Sequence, residues 1–264
     1  MKTQQYLTLF VAIVGGFLIS CQDDDTSDGL VTPQIQLAVS DTFGQYLTDQ
    51  NGHTLYFFTQ DVNGNSVCND GCTGAWPVFF TETLTVEEGL ETTDFGTITR
   101  EDGERQSTYK GWPLYRFQGD SQPNEINGDG QNNHWFVAKP DYSVMLAHQV
   151  VEGLGDTLSE YIVDPRGRTL YYHVPDEKDV SNCGTGCIEE RPSFFVGEDM
   201  ILPSGLGADE FRVIIRDDGI TQSTYKQRAM YRYVFDDIRG TTLSRKAIFP
   251  EWTIARVSWI RPRG

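Results

Sequence analysis

Tyr46-Leu47-Thr48-Asp49-Gln50-Asn51-Gly52-His53-Thr54-Leu55-Tyr56 decides how this chain is read, because it is written twice. It returns as Tyr161-Ile162-Val163-Asp164-Pro165-Arg166-Gly167-Arg168-Thr169-Leu170-Tyr171, and the offset of 115 residues then holds from Asp61 and Asp176 to Cys68/Cys72 and Cys183/Cys187. Farther on, Arg100-x-Asp102-Gly103-x-x-Gln106-Ser107-Thr108-Tyr109-Lys110 recurs from Arg216 to Lys226, an offset of 116. Trp135-x-x-Ala138 and Trp252-x-x-Ala255 follow at 117. So many matches in one order mark a tandem duplication.

Each copy also contains a weaker echo of itself. A Tyr-x-aromatic-x-x-Asp pattern occurs at Tyr56-Phe58-Asp61 and again at Tyr115-Phe117-Asp120, then at Tyr231-Tyr233-Asp236, with a variant at Tyr171-His173-Asp176. A spacing of two puts both rings on one face of a strand. The Asp then falls at the strand end, where its carboxylate accepts local backbone N–H groups. Asp49-x-x-Gly52, Asp102-Gly103 and their counterparts lie between short alternating runs, a hairpin signature in which Gly supplies positive φ. No window keeps a helical period for three turns; His148–Leu158, the best candidate, is broken by Gly153 and Gly155. The expected fold is all-β: two tandem homologous β-rich repeats of about 95–100 residues, built of short hairpins with one local disulfide each.

The expected organisation is a signal peptide over 1–20, an acidic tether over 21–40, a first repeat over 41–141, a linker over 142–156 and a diverged second repeat over 157–264. Lys2 opens the targeting segment, and the apolar run Leu7–Ile19 is shorter than the roughly 20 residues a spanning helix needs. Leu18-Ile19-Ser20-Cys21 resembles the lipobox of bacterial lipoproteins, in which the cysteine becomes the first mature residue and carries lipid on its sulfur. Two or three acyl chains, at roughly 0.8 kcal/mol per buried methylene, make such an anchor stable. Gln22-Asp23-Asp24-Asp25 lacks an Asp directly after the cysteine and resembles a surface-export signal of lipoproteins, although a solvated spacer has the same composition. With 38 Asp plus Glu against 21 Lys plus Arg, the net charge of -17 disfavours nucleic acid, whose binding rests on neutralised phosphates.

Cys68/Cys72 and Cys183/Cys187 are close in sequence and flank turn formers. In an exported chain one bridge per copy is the default. Pairing between copies is a second possibility, and use of the Cys-x-x-x-Cys pairs as redox dithiols or as copper or zinc ligands a third. The four His residues show no metal-ligand spacing. Asp61-x-Asn63-x-Asn65 opens like a calcium loop, but Ser66 stands where Gly is needed and no Glu follows at position twelve. The Asp120–Asp129 loop is also oxygen-rich. Both loops serve equally as solvated connections, and no cofactor is implied beyond calcium at these places. Trp76, Trp112 and Trp135, all in the first copy, suit either a ligand-binding platform or core plugs. No nucleophile elbow, phosphate loop or dinucleotide fingerprint is present, so no catalytic residue is assigned and a non-enzymatic protein is expected.

Tyr46-Leu-Thr-Asp49, Gly52-x-Thr54-Leu55-Tyr56-x-Phe58-x-x-Asp61, Cys68-x-x-x-Cys72-x-x-x-Trp76-Pro77 and the run from Arg100 through Gly111-Trp112-Pro113 to Asp120 follow one another, ahead of Asn127-Gly128 and Trp135. In this order they resemble the bacterial secreted-repeat lipoprotein family, strongly over 45–138 and in diluted form over 160–255. The resemblance implies an exported, membrane-anchored chain with tandem repeats; it brings no settled activity. The expectation is an outer-membrane lipoprotein, facing the cell surface or alternatively the periplasm, that acts as a binding or structural module beside other envelope proteins. The competing expectation is a redox or metal-binding envelope protein. In the second copy Trp76-Pro77 has become Arg191-Pro192 and Gly111-Trp112-Pro113 has become Gln227-Arg228-Ala229. Any ligand site is therefore expected in the first copy.

Overall fold

The two copies fold into the same series of elements. The computed structural model describes residues 32–151, 158–197, 199–242 and 251–258, so the signal segment 1–20, Cys21 and the tether up to residue 31 lie outside the described residues. The first copy runs β1 (Ile35–Ser40), β2 (Gly44–Asp49), β3 (Tyr56–Phe58), the short helix α1 (Gly71–Ala75), β4 (Phe95–Thr99), β5 (Arg105–Tyr109), β6 (Trp112–Pro113) and β7 (Trp135–Val137). The second runs β8 (Met145–Val150), β9 (Leu158–Val163), β10 (Tyr171–His173), α2 (Cys187–Glu190), β11 (Phe211–Ile215), β12 (Thr221–Tyr225), β13 (Arg228–Ala229) and β14 (Trp252–Ile254).

Pairing is duplicated as well. β1–β2 and β8–β9 are hairpins, β3 pairs with β7 as β10 does with β14, and β4–β5–β6 and β11–β12–β13 are three-stranded meanders, all antiparallel. The expected all-β class with tandem repeats and local disulfides is what the chain adopts. The predicted turn glycines do their work: Gly52 and Gly167 share φ +81, and Gly103 and Gly219 lie at +86 and +81, where a Cβ would be strained.

Two boundaries need correction. β1 falls at the alternating end of the segment read as a tether leading into a first strand, and it carries the first copy back from 41 to Ile35. Met145–Val150, inside the expected 142–156 linker, is strand β8. The reason is common to both: β2 and β9 each need a preceding partner to satisfy their edge. Six residues suffice for a strand, too few to announce it by periodicity alone.

From Thr32 onward the chain forms one compact unit. One core cluster joins Tyr109, Trp112 and Leu114 of the first copy to Tyr161, Val163, Tyr171 and Ile254 of the second. Trp112 donates its indole N–H to the Pro165 carbonyl at 3.0 Å. Arg239 reaches back from the second copy, donating from Nε to the Val62 carbonyl at 2.7 Å and from Nη1 to the Lys110 carbonyl at 3.1 Å. Its guanidinium lies 4.8 Å over the Trp112 ring. Burial pulls Arg239 down to about 10. Gly111 makes room for it at φ +79, because a Cβ there would collide with the Arg239 guanidinium.

Trp112→Ala is expected to cost about 3–5 kcal/mol, the range for emptying a large aromatic site, and to lower a single melting transition that reports both copies. Two separate transitions in calorimetry of the unaltered chain would refute a shared core.

Candidate functional site

The repeated tyrosines and aspartates answer one another across each copy. Tyr56 and Tyr115 exchange backbone hydrogen bonds, Tyr56 N to Tyr115 O at 2.8 Å and the reverse at 3.1 Å. Each side chain then continues to the carboxylate of the other motif: Tyr56 Oη donates to Asp120 Oδ2 and Tyr115 Oη to Asp61 Oδ2, both at 2.5 Å. The second oxygens take local backbone donors, Asp61 Oδ1 from Val67 N and Asp120 Oδ1 from Asn127 N, both at 2.8 Å. The second copy repeats the exchange, Tyr171 with Asp236 and Tyr231 with Asp176 Oδ2 at 2.7 Å. Burial lifts Asp61 to about 7 and Asp236 to about 6, and raises Asp120 as well, against the pull of their tyrosine donors.

Around this lock sits an arginine brace. Arg100 donates to the Cys68 carbonyl at 2.9 Å, to Gln106 Oε1 at 3.1 Å and to Ser66, whose hydroxyl bonds Tyr115 Oη at 2.7 Å. Gln106 passes the chain on to the Leu114 carbonyl at 2.9 Å. Arg216, Cys183, Gln222, Ser181, Tyr231 and Met230 rebuild the same circuit. The recurring Arg-x-Asp-Gly-x-x-Gln run is thereby accounted for: its Arg holds the cysteine loop, its Asp-Gly turns the hairpin, and its Gln ties the two together. The cysteines pair within each copy, Cys68–Cys72 and Cys183–Cys187, each with Cα atoms 5.3 Å apart.

The tryptophan platform is corrected. Trp76, Trp112 and Trp135 are 5%, 0% and 3% exposed, so none offers a face to a ligand. Trp76 and Trp135 stack at 3.8 Å and 2°, Phe58 stacks on the other side of Trp135 at 4.2 Å, and Phe117 lies 4.5 Å from Trp76. Trp112 belongs to a different cluster, at the junction of the copies. They are core plugs, and the reason is arithmetic: a small body with short strands fills its interior with a few large rings.

The calcium reading of Asp61, Asn63 and Asn65 is corrected too. Asp61 is fully buried with both oxygens bonded as above, while Asn63 Oδ1 accepts from Asn65 N at 2.9 Å and closes its own turn. Asp120 is likewise committed to Tyr56. Among the described residues no three His, Cys, Asp or Glu side chains are grouped to hold a metal ion. A cleft of about 330 Å³ in the first copy includes Asp49, His53, Arg116 and Asp120. Asp49 uses one oxygen on Asn51 N and His53 N and the other on Arg116 Nε at 2.7 Å, so its role there is to close a turn.

The second copy differs where the first is plugged. At the positions of Trp76 and Phe58 stand Arg191 and His173. The Arg191 guanidinium lies 3.5 Å over the Tyr233 ring and 5.0 Å from that of Trp252. His173 packs on Trp252 at 4.6 Å and bonds Asp176 Oδ1 through Nδ1 at 3.0 Å. An open cleft of about 330 Å³ lies here, lined by both residues, Asn182, Glu190, Glu251 and Trp252 among others. The constant offset already aligns Arg191 with Trp76 in the sequence; the rings that surround the guanidinium become visible only in the fold.

Residues 37–79 and 96–139 match the model of a family described as a secreted repeat of unknown function. Both matched segments fall within the first copy, one around each of its two Tyr-x-aromatic-x-x-Asp motifs. No curated protein and no solved structure matches the chain.

Tyr115→Phe removes the donor to buried Asp61 and is expected to cost about 1–3 kcal/mol by denaturant titration; a neutral result would contradict the lock. The pH dependence follows from the sign of the shifts. A carboxyl raised on folding binds its proton more tightly in the folded chain, so its contribution is full below the ordinary carboxylate range and is lost as pH rises towards 6–7. Asp102, Glu125 and Asp218 are lowered and exposed and stay ionised through this window, whereas His148, lowered by burial, opposes the trend because its penalty fades as pH rises. The melting temperature is expected to be higher at pH 5.5 than at pH 8, and Asp61→Asn to flatten the slope.

Proposed function

From the match of residues 37–79 and 96–139 to the family of secreted repeats, we propose a lipid-anchored, non-enzymatic binding or structural module of the bacterial outer membrane, displayed at the cell surface. The family description supports the coarser half of this reading, an exported protein of the envelope or beyond. Among the described residues no helix is long and apolar enough to cross a membrane, and the reading assigns attachment to lipid on Cys21.

The observation that carries the non-enzymatic part is the use made of the duplicated polar residues. The motif Tyr and Asp residues, the Arg-Gln braces and the cysteines that both copies keep are bonded to one another inside the protein. Side chains so engaged supply a rigid frame; Asp120 lines the first copy's cleft, but its oxygens are already taken by Tyr56 and Asn127, which suits neither an acid–base pair nor a nucleophile. Surface display rests on Gln22-Asp23-Asp24-Asp25 directly after the lipid site, and partners are accordingly other envelope proteins or small molecules rather than nucleic acid.

Labelling cells with a radioactive fatty acid is expected to mark the unaltered protein and not Cys21→Ser, and the variant is expected to leave the membrane fraction. Protease added to intact cells is expected to degrade the anchored protein. Full labelling of Cys21→Ser would end the anchor, and protection from protease until the outer membrane is opened would place the module on the periplasmic side.

A further inference from the structure

We propose that the second copy rests one face on the phosphate headgroups of the lipid layer that receives the anchor, through Arg168, Arg232 and the apolar turn over 234–238. The duplication supplies the comparison. In the first copy Asp49 faces one arginine, Arg116, and His53, and Asn51 and Gln118 complete the cleft around them. At the corresponding positions the second copy carries Asp164, Arg232, Arg168, Arg166 and Val234. The turn that follows changes in the same sense: Gln118, Gly119 and Gln122 become Val234, Phe235 and Ile238, which are 47%, 59% and 66% exposed. Polar surface has been exchanged for cations and for apolar side chains standing in water.

One carboxylate does not balance the cations gathered here. Asp164 Oδ1 accepts from Arg166 N and Arg168 N, both at 3.0 Å, and Oδ2 accepts from Arg168 Nε at 2.8 Å, with Arg232 Nε at 3.8 Å. Arg166 sends its guanidinium to Asp94 at 2.9 Å. Arg168 and Arg232 are 43% and 42% exposed, and their Nη groups have no hydrogen-bond partner among the described residues. Burial pulls Arg232 below the ordinary arginine value; Asp164 holds it up and the Arg168 charge presses it down. A second anion relieves the pair, and the planar forks of two guanidinium groups match phosphate oxygens.

The apolar side chains lie beside this pair. Arg232 N and Val234 N donate to the Pro192 and Glu190 carbonyls at 2.9 and 3.1 Å, an extended run in which residues two apart share a face. Gly240 N donates to the Gly167 carbonyl at 2.8 Å and Thr169 Oγ1 to that of Thr241, which ties the turn to Arg168. A soluble anion would use the arginines and leave Val234, Phe235 and Ile238 in water. A lipid surface uses both: the apolar groups enter the headgroup boundary and the cations meet phosphate. Asp237, exposed on the same turn, suits the ammonium of a zwitterionic headgroup. An anchor on Cys21 leaves ten residues before Thr32, a reach of at most about 40 Å, so the lipid layer is always at hand.

The proposal deepens the envelope-module reading and rests on its lipid-anchored half. It is tested on residues 32–264, the compact unit, which lacks Cys21, so docking is read apart from anchoring and fatty-acid labelling in cells reports the anchor by itself. The probes are vesicles of phosphatidylethanolamine and phosphatidylglycerol in co-sedimentation, vesicles of an uncharged galactolipid as the phosphate-free control, and glycerol phosphate in calorimetry. Binding to the phospholipid vesicles is expected, at least about tenfold stronger than to the galactolipid. Arg168→His, which restores the first copy's residue, is expected to weaken it about fivefold, the worth of one basic side chain at a lipid surface. Val234→Gln, Phe235→Gly and Ile238→Gln together, which restore three more, are expected to weaken it at least about tenfold. Both variants are expected to melt cooperatively; should Arg168→His fail to fold, the exposed apolar triple decides. Absence of binding to phospholipid vesicles, equal binding to the galactolipid, or undiminished binding in either folded variant would overturn the proposal. Binding of glycerol phosphate without binding of vesicles would overturn the lipid surface in favour of a soluble anion.

Discussion

A phenol hydroxyl bonded to a carboxylate that belongs to the other half-repeat is the constraint around which each copy is organised. A half-repeat of this size cannot bury a core of its own, and its aspartate, once buried, needs a donor that its own strand does not provide. Exchange solves both difficulties. Tyr56 and Tyr115 bring two motif strands together by their backbones, and the side chains then carry each strand's polar requirement to the other. In an interior of low dielectric such bonds are strong when complete and costly when one partner is missing. The half-repeats are therefore useful in pairs, and the chain contains two such pairs.

Duplication freed the second pair to change what was not part of that frame. Its disulfide, its arginine brace and its exchanged tyrosines stay where the first copy has them. The filling is different: a stack of rings in one copy becomes a guanidinium between rings in the other. Arginine is the one charged residue whose planar, weakly hydrated head group can occupy a slot shaped for an indole. The fold could thus take in a charge without being redesigned.

Much of this was legible in the residues. The hairpin glycines, the local cysteine pairs, the aromatic spacing along the strands and the all-β class follow from local rules that short sequence windows obey. What escaped was whatever depends on partners distant along the chain. Asp61 reads as a loop ligand until Tyr115 is seen to reach it. Trp76 and Trp135 read as a platform until they are found stacked face to face. β8 reads as a linker because Met145–Val150 carries no signature beyond its own short length, and its identity as a strand is conferred by β9. A ligand site reads as belonging to the copy richer in tryptophan until those rings are found buried in its core.

Arg239 shows that the halves are no longer interchangeable beads. A residue of the later copy has become the donor for two carbonyls of the earlier one and the lid over its indole. Amputation at the duplication seam would strip those carbonyls and leave a naked aromatic face in water. Neither fragment would keep the shared core whole: the two copies are welded into one body.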